Sequence, residues 1–499
     1  MSSIKKLAGQ TIWYGASTIF SRFLIYMLTP YLTAVMLTSD YGEMNLVYAI
    51  IPFLNVVFLY GLDTAYFRFS QKEEHKEGIY GTSSMSIITT TLLFTVVMVL
   101  FSGPIAALIH LKNHDSYITL AAFIIGLDAL AAIPFAKLRQ EGRPRKFAFI
   151  RIGGVVLNII VTYFFLSFCP AMLKKHPDSV FRVIYHRDFV VGYILLAGVA
   201  QNLFQVILLR KELFRFKPVF NFQQWKLIMV YSLPLTIAGF AGMINETFDR
   251  VMLNWWAPVA NANEALVQVG IYGACYKLSI LITLSVQAFR MGAEPFFFGQ
   301  STREDAPKTY ARVMKFFVIV LTVMFLVVAL YLDAWKYIVQ NKRMWEGLRV
   351  VPILLFANMF LGIYYNLSIW YKLSNRTSAG AYITFIGVGV TLFVNYFFIP
   401  RYSYMACAWA TFLCYGSMMV VSFVWGQKQY RIPYAWKKLV AYMVIVALLY
   451  FIHHFVTGWW PYAWLNYTLA TVLLAAYSFF ILQVEKKEFR KLPVVGKYI

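Results

Sequence analysis

The sequence predicts an all-α integral membrane protein that contains two parallel six-helix repeats followed by a two-helix hairpin. Three observations predict this fold. Hydrophobic residues make up 60% of the 499 positions and charged residues only 13%, whereas soluble proteins carry about a quarter charged residues. Apolar runs long enough to cross a membrane recur along the chain. Short motifs from one half also recur in the other half in the same order.

The apolar runs define the predicted spans. A helix needs roughly 20 apolar residues to cross the hydrocarbon core, and we count about fourteen such runs. They lie at 10–36, 42–67, 80–109, 117–136, 147–168, 189–209, 227–257, 267–298, 313–333, 348–371, 379–399, 403–426, 439–457 and 461–483. Several runs exceed the minimum length, which predicts tilted or kinked helices.

The repeat is visible at a constant offset of 231 residues. Tyr-Gly at 41–42 recurs at 272–273, and Gly-x-Asp at 61–63 recurs as Gly-x-Glu at 292–294. Six spans is an even number, so both copies enter the membrane from the same side and the repeats are parallel. We therefore predict an N-terminal lobe at 1–215, a C-terminal lobe at 216–430, and an appended hairpin with a cytoplasmic tail at 431–499.

The chain has a net charge of +23, and its basic residues are distributed unevenly between the two sides of the membrane. With both termini inside, the inner loops and tails hold about thirty-two Lys and Arg residues and the outer loops about ten. Positive charge is enriched on the cytoplasmic side of membrane proteins, so both termini are predicted to be cytoplasmic. The basic loops are expected to contact anionic membrane lipids, and no nucleic-acid partner is expected.

Charged side chains inside the predicted spans are the candidate functional residues. A charge at the bilayer centre costs about 2.5–3.5 kcal/mol, so it is expected to face a cavity or a partner. The candidates for a cationic substrate-binding cavity are Arg22, Arg250, Lys277 and Arg290. The candidates for ion coupling or gating are Asp63, Asp128, Glu246, Asp249 and Glu294.

Two interpretations of Arg22 and Arg250 stay open. The two arginines either line a cationic cavity between the lobes or lock helices together through ion pairs. Glu246 and Arg250 are four residues apart on one helix face, so they can pair. Lys277 and Arg290 are thirteen residues apart, which predicts similar faces of one span at different depths. Asp128 is predicted to be alone in the fourth span.

Enzymatic motifs are absent from the sequence. There is no P-loop GxxxxGK[ST], no HExxH and no GxSxG. The four cysteines show no metal-binding spacing. We therefore predict no catalytic residue, no metal site and no cofactor, and active transport would have to use an ion gradient, the substrate gradient or partner proteins.

The two six-span halves with a hairpin, the Phe-Asp-Arg at 248–250 and the repeated second and eighth spans resemble a known family. The family is the Wzx-type oligosaccharide-lipid flippases of the multidrug/oligosaccharidyl-lipid/polysaccharide (MOP) superfamily. The resemblance implies V-shaped lobes around a cationic cavity in the bacterial inner (plasma) membrane. It implies an undecaprenyl-pyrophosphate-linked oligosaccharide as substrate, moved from the cytoplasmic to the periplasmic leaflet by alternating access. The product would be O-antigen, capsule or exopolysaccharide, and a polysaccharide polymerase and glycosyltransferases are implied partners.

Two other functions stay open. A cation-coupled multidrug exporter of the same superfamily would need an acidic, apolar cavity, and Arg22 and Arg250 oppose that composition. A membrane polysaccharide polymerase or ligase would need a large outer loop that carries catalytic groups. The predicted outer loops are short, and the polymerase hypothesis leaves the repeat unexplained.

Overall fold

A computed structural model describes residues 2–70, 78–111, 114–214, 219–301, 303–374, 376–460 and 462–490. The side chains of residues 2–13, 294, 295 and 377 lie outside this description. Within the described ranges the regular structure is helical throughout.

Thirteen helices in the described residues are long and apolar enough to cross a membrane, and one bent helix pair makes a fourteenth span. Spans 1 to 7 are Tyr14–Val35, Thr38–Leu59, Ile79–Leu100, Asp115–Gln140, Pro144–Lys175, Arg187–Leu208 and Phe222–Trp256. Spans 8 to 14 are Ala262–Leu278 with Ile280–Gln300, Ala306–Ala329, Lys342–Leu373, Ser378–Tyr402, Tyr404–Gln429, Trp436–Trp459 and Ala463–Val484. Each predicted span overlaps one of these helices, which confirms the all-α membrane fold.

The second and eighth spans are interrupted where the sequence predicted continuous runs. Span 2 ends at Leu59 because Tyr60 and Gly61 adopt left-handed backbone conformations, with φ angles of 33° and 69°. A short helix, Leu62–Phe69, follows the break. Span 8 bends by 50° between Leu278 and Ile280. The two breaks do not fall at equivalent repeat positions, so the repeat in sequence does not extend to the helix breaks.

The packing divides the chain into two compact units. The first unit contains residues 1–274, 340–344 and 384–414, and the second contains residues 275–339, 345–383 and 415–499. Each unit has its own apolar core: Leu62, Ile133 and Ile228 pack together in the first, and Phe297 packs with Tyr310 in the second. The lobe boundaries given by the sequence repeat remain a prediction.

The hairpin of spans 13 and 14 is fixed within the second unit through Glu485. Its carboxylate, which is 2% exposed, accepts hydrogen bonds from Lys315 Nζ at 2.6 Å, Lys438 Nζ at 3.1 Å and Tyr442 Oη at 2.7 Å. Burial alone raises the pKa of the Glu485 carboxyl group, but these three hydrogen bonds outweigh burial and leave the pKa below its usual value. The carboxylate therefore joins the hairpin to span 9.

Candidate functional site

Three charged residues of span 7 lie within little more than one helical turn. Arg250 donates hydrogen bonds to the main-chain oxygen of Glu246 at 3.0 Å and to Asp249 Oδ1 at 3.3 Å. Tyr272 Oη donates to the other oxygen, Asp249 Oδ2, at 2.6 Å. The Arg250 guanidinium also lies 5.8 Å from the centre of the Tyr272 ring. Asp249 is 4% exposed and Arg250 is 8% exposed, so this charge pair is buried.

Arg22 on span 1 and Glu246 on span 7 differ from the buried pair of Asp249 and Arg250, because both of their side chains are exposed. The Glu246 carboxyl group interacts electrostatically with the guanidinium groups of both Arg22 and Arg250. Four of the predicted residues, Arg22, Glu246, Asp249 and Arg250, are therefore brought together in the first unit. We call these four residues the charge cluster.

Spans 11 and 12 hold this part of span 7 in place. Asn245, which is buried, donates through Nδ2 to the main-chain oxygen of Thr384 at 3.1 Å. Its Oδ1 accepts a hydrogen bond from Thr391 at 3.3 Å. The Cys407 sulfur lies 3.7 Å from the main-chain oxygen of Asp249. These contacts fix the backbone that carries the charge cluster.

Spans 2 and 8 touch through Gly42 of the first Tyr-Gly motif and through Gly270, which lies just before the second motif. A Cβ atom added at Gly42 would lie 1.8 Å from the main-chain oxygen of Leu266, and one at Gly270 would lie 2.2 Å from that of Thr38. A side chain at either position would collide with backbone, so this close approach requires glycine. The region of the motif that revealed the repeat is therefore a contact between the two copies.

Other segments of the first unit are joined by hydrogen bonds near the span ends where Gly42 and Gly270 lie. The main-chain N–H of Gln340 donates to Thr33 Oγ1 at 3.0 Å. Asn254 Nδ2 donates to the main-chain oxygen of Ile109 at 2.8 Å. In the predicted topology these are the outer ends of spans 1, 3 and 7. Together with the glycine contact, they link the outer ends of both repeats.

The predicted basic residues of span 8, Lys277 and Arg290, belong to the second unit. Lys277 is half-buried and lies just before the 50° bend. Arg290 lies after the bend, is exposed, and has its guanidinium 4.8 Å from the centre of the Tyr365 ring. The 50° bend lies between these two residues, and the prediction that they occupy similar faces at different depths stays a prediction. Glu294 belongs to the same span, but its side chain lies outside the described part.

Comparison with known sequences decides the family. A sequence model described as "Polysaccharide biosynthesis protein" matches residues 7–298, which is more than half of the 499 residues. The chain belongs to this polysaccharide biosynthesis family. A comparison with curated proteins gives no significant match.

Solved structures share the fold of this family member at low sequence identity. The lipid II flippase MurJ in an inward closed conformation has a TM-score of 0.67 and 13% identity, covering 95% of this chain and 99% of that one. An inward-facing MATE multidrug transporter of the MOP superfamily has a TM-score of 0.58 and 14% identity, covering 87% and 95%. An outward-facing MATE transporter has a TM-score of 0.56 and 13% identity, covering 89% and 99%. The chain is therefore a multi-pass membrane protein of the polysaccharide biosynthesis family, and its fold is similar to that of these transporters.

Asp128, the one charged residue of the predicted fourth span at 117–136, has partners on two other spans of this polysaccharide biosynthesis protein. Its Oδ2 accepts a hydrogen bond from Asn55 at 3.2 Å, and its Oδ1 lies 4.0 Å from the Arg151 guanidinium. Arg151 was missed among the intramembrane charges. It lies inside the predicted fifth span at 147–168, so the rule that selected Arg22 would have selected it as well.

Two further pairs of titratable side chains lie near the ends of spans in the first unit. Asp63 follows the break at Gly61 and interacts electrostatically with Arg139 at the end of span 4. Glu43, which the sequence analysis also missed, lies 3.8 Å from the ring of His114. Within the described residues, no group of three or more His, Cys, Asp or Glu side chains is arranged to hold a metal ion.

Proposed function

We propose that this polysaccharide biosynthesis protein moves a lipid-pyrophosphate-linked oligosaccharide from the cytoplasmic to the periplasmic leaflet of the bacterial inner membrane. The observation that carries the proposal is an exposed arginine, Arg22, within a membrane span and beside the acidic Glu246. Pyrophosphate is charged and cannot cross hydrocarbon unaided. The guanidinium fork matches phosphate oxygens and keeps its charge at all physiological pH values. Membership of the polysaccharide biosynthesis family supports a glycan as cargo.

The different surroundings of the two arginines support different roles. Arg22 is exposed and is the proposed contact for the pyrophosphate. Glu246 is its counter-ion before the substrate arrives, and the substrate phosphate replaces it. Arg250 is buried against Asp249, so it positions the span 7 turn rather than binding phosphate in this conformation. Lys277 and Arg290 remain candidates for further phosphate contacts.

The contact between spans 2 and 8 supports transport by alternating access. Gly42 and Gly270 pack against the backbone of the opposite span, and we assign this contact to a closed outer gate. Release of the glycan outside then requires these ends to separate. Asp63, Asp128 and Glu294 remain candidates for coupling this movement to an ion gradient.

A variant series tests the role of Arg22 in cells. Surface polysaccharide is measured and normalised to the abundance of the transporter. Arg22→Ala should abolish export while the protein still accumulates, and Arg22→Lys should restore export only in part, since a point charge cannot replace the bidentate fork. Arg303→Ala, at an exposed arginine paired with Asp305, is the matched control and should export normally.

The double variant Arg22→Ala with Glu246→Ala separates substrate binding from helix locking. If Arg22 binds pyrophosphate, the double variant stays inactive. Recovery of export by the double variant would show that Arg22 only neutralises Glu246. Tolerance to cationic drugs, measured in the same strains, tests the alternative: dependence of drug tolerance on Glu246, with unchanged polysaccharide, would identify a multidrug exporter.

A further inference from the structure

A cavity with polar and aromatic walls lies in the second unit, far in sequence from the charge cluster. Its volume is about 700 Å³, and it is bounded by the end of span 9, the start of span 10, the second half of span 13 and the start of span 14. In the predicted topology these are outer ends. Small-molecule sites typically have volumes of about 300–1,000 Å³, so the cavity has the size of a binding site.

A chain of hydrogen bonds fixes the polar groups on one wall of this outer cavity. Asp333 accepts a hydrogen bond from Lys336 Nζ at 2.7 Å and another from Asn466 Nδ2. His453 Nε2 lies 3.3 Å from the main-chain oxygen of Asn466. Lys336 neutralises Asp333 on this wall, and Arg349 also lines the cavity.

The Asp333 carboxylate is the acceptor on this wall that a ligand can reach. Its side chain is 51% exposed although Lys336 pairs with it, and it lines the cavity. Asn466 is buried and holds this carboxylate in place through its hydrogen bond. A hydroxyl group can donate to a carboxylate, whereas a fully ionised phosphate has acceptors only. The exposed carboxylate therefore favours a hydroxylated ligand.

Tyrosine rings supply the other walls. Tyr337 and Tyr462 are 58% and 60% exposed, and Tyr450 stacks on His454 with a ring separation of 5.9 Å. Tyrosine combines an apolar ring face with a hydroxyl group. A sugar has the matching combination, because its rings present C–H faces between their hydroxyl groups. An apolar drug would match the rings but leave the polar wall unpaired.

We propose that the outer cavity is a saccharide-binding site on the side of the membrane opposite the basic inner loops. The ligand class is a short oligosaccharide, held by tyrosine faces and by hydroxyl donation to Asp333, which Asn466 positions. Identifying this saccharide with the glycan that the protein exports rests on the proposed function. In that case the cavity retains the glycan at the outer surface after it leaves the charge cluster.

The test is a binding measurement on the full-length protein in lipid nanodiscs. The probe is the mixture of fluorescently tagged, lipid-free oligosaccharides released by mild acid from the lipid-linked saccharides of the host cells. Fluorescence anisotropy should show saturable binding, which Tyr337→Ala and Tyr462→Ala each weaken by about two- to tenfold. Asn466→Leu should also weaken binding. Trp464→Ala is the control, since Trp464 is 68% exposed on the same helix but does not line the cavity.

Three outcomes would overturn the saccharide site. They are no saturable binding to the wild type, an affinity in both tyrosine variants equal to that of the wild type, or displacement of the probe by inorganic pyrophosphate. The last outcome would identify an anion site instead. Arg22→Ala separates this inference from the proposed function, because that variant should bind the probe normally while export is lost. Normal export by Arg22→Ala would contradict the flippase proposal and leave the binding result standing.

Discussion

Arg22 and Arg250 carry the same charge on spans 1 and 7, but their partners differ. Arg250 is held by the Asp249 carboxylate and by a main-chain oxygen, with the Tyr272 ring nearby. Arg22 is exposed and has Glu246 within electrostatic range. A buried ion pair contributes little net stability while both partners are present, but loss of one partner leaves an uncompensated charge. The two arginines should therefore respond differently to substitution.

Replacement of Arg250 tests its positioning role. Arg250→Ala leaves the Asp249 carboxylate, which is 4% exposed, without its cation. We expect a loss of about 3–5 kcal/mol in the free energy of unfolding, seen as a lower melting temperature and lower abundance. Arg250→Ala with Asp249→Asn should recover much of this loss. Equal stability of Arg250→Ala and wild type in purified form would contradict the buried pair.

The charges themselves could be predicted from sequence, but their pairing could not. A charged residue in an apolar run stands out by composition, which is how Arg22, Glu246 and Arg250 were found. Which oxygen Arg250 contacts depends on side-chain directions set by span 8, which carries Tyr272. The same limit explains Asp128, whose partners Asn55 and Arg151 lie on two other spans.

At the scale of helices, the contact of spans 2 and 8 depends on glycine. Gly42→Ala would place a methyl group 1.8 Å from the Leu266 main-chain oxygen, so the helices must separate. We expect a loss of about 1–3 kcal/mol in stability and faster labelling of a cysteine placed at Thr38. Gly242→Ala on span 7 is the matched control, since nothing lies within 4 Å of a Cβ there. Equal labelling rates in the Gly42→Ala and Gly242→Ala variants would show that this contact is not an outer gate.

The hairpin contact at Glu485 predicts a pH dependence. The folded-state pKa of Glu485 is below its usual value, with burial opposed by hydrogen bonds from Lys315, Tyr442 and Lys438. Stability from such a group is complete above the unfolded-state pKa of about 4.3 and is lost as the pH falls through the lower folded-state pKa. The protection of amides in spans 13 and 14, measured relative to their intrinsic exchange rate at each pH, should therefore fall below about pH 4.

Two substitutions check the source of that pH dependence. Glu485→Gln should show low amide protection in the hairpin at all pH values, because the charge-assisted hydrogen bonds are gone. Glu304→Gln, at an exposed acid in an inner loop, should behave as the wild type. Unchanged protection of the wild-type hairpin at pH 3 would show that Glu485 does not fix it.

The sequence predicted where helices lie but not where they break. Apolar length alone locates a span, since the bilayer sets the length that is required. The left-handed backbone at Tyr60 and Gly61 ends span 2 where hydropathy continues. The bend after Leu278 likewise falls in an apolar run. Both breaks depend on local backbone conformation, to which a count of apolar residues is insensitive.

For the whole molecule, the sequence predicts that both termini are cytoplasmic. Reporter fusions at Lys174 and Lys342 should be active as periplasmic reporters, and fusions at Lys146 and Lys428 as cytoplasmic ones, because Lys and Arg accumulate inside. The two predicted periplasmic sites and the two predicted cytoplasmic sites serve as controls for each other. The opposite pattern at two of the four sites would reverse the orientation and place the outer cavity in the cytoplasm.

The family and the membrane fold could be predicted from repeats and composition, whereas the packing into units could not. The unit that contains spans 1 to 7 also contains residues 384–414, far away in sequence. Such a division follows from contacts between distant segments. The repeat offset identifies which residues of the two repeats correspond, but it does not show which helices contact each other.

The central claim is that an exposed arginine in span 1 carries a lipid-linked glycan across the membrane. The most direct test is a leaflet assay in vesicles that contain only the purified protein and fluorescently tagged, pyrophosphate-linked oligosaccharide lipid. A membrane-impermeant reductant that destroys the tag reports which leaflet holds the lipid. Wild-type and Arg303→Ala vesicles should lose nearly all of the signal, whereas Arg22→Ala vesicles should retain the protected fraction. Equal protection in wild-type and protein-free vesicles, or equal loss in wild-type and Arg22→Ala vesicles, would contradict the claim.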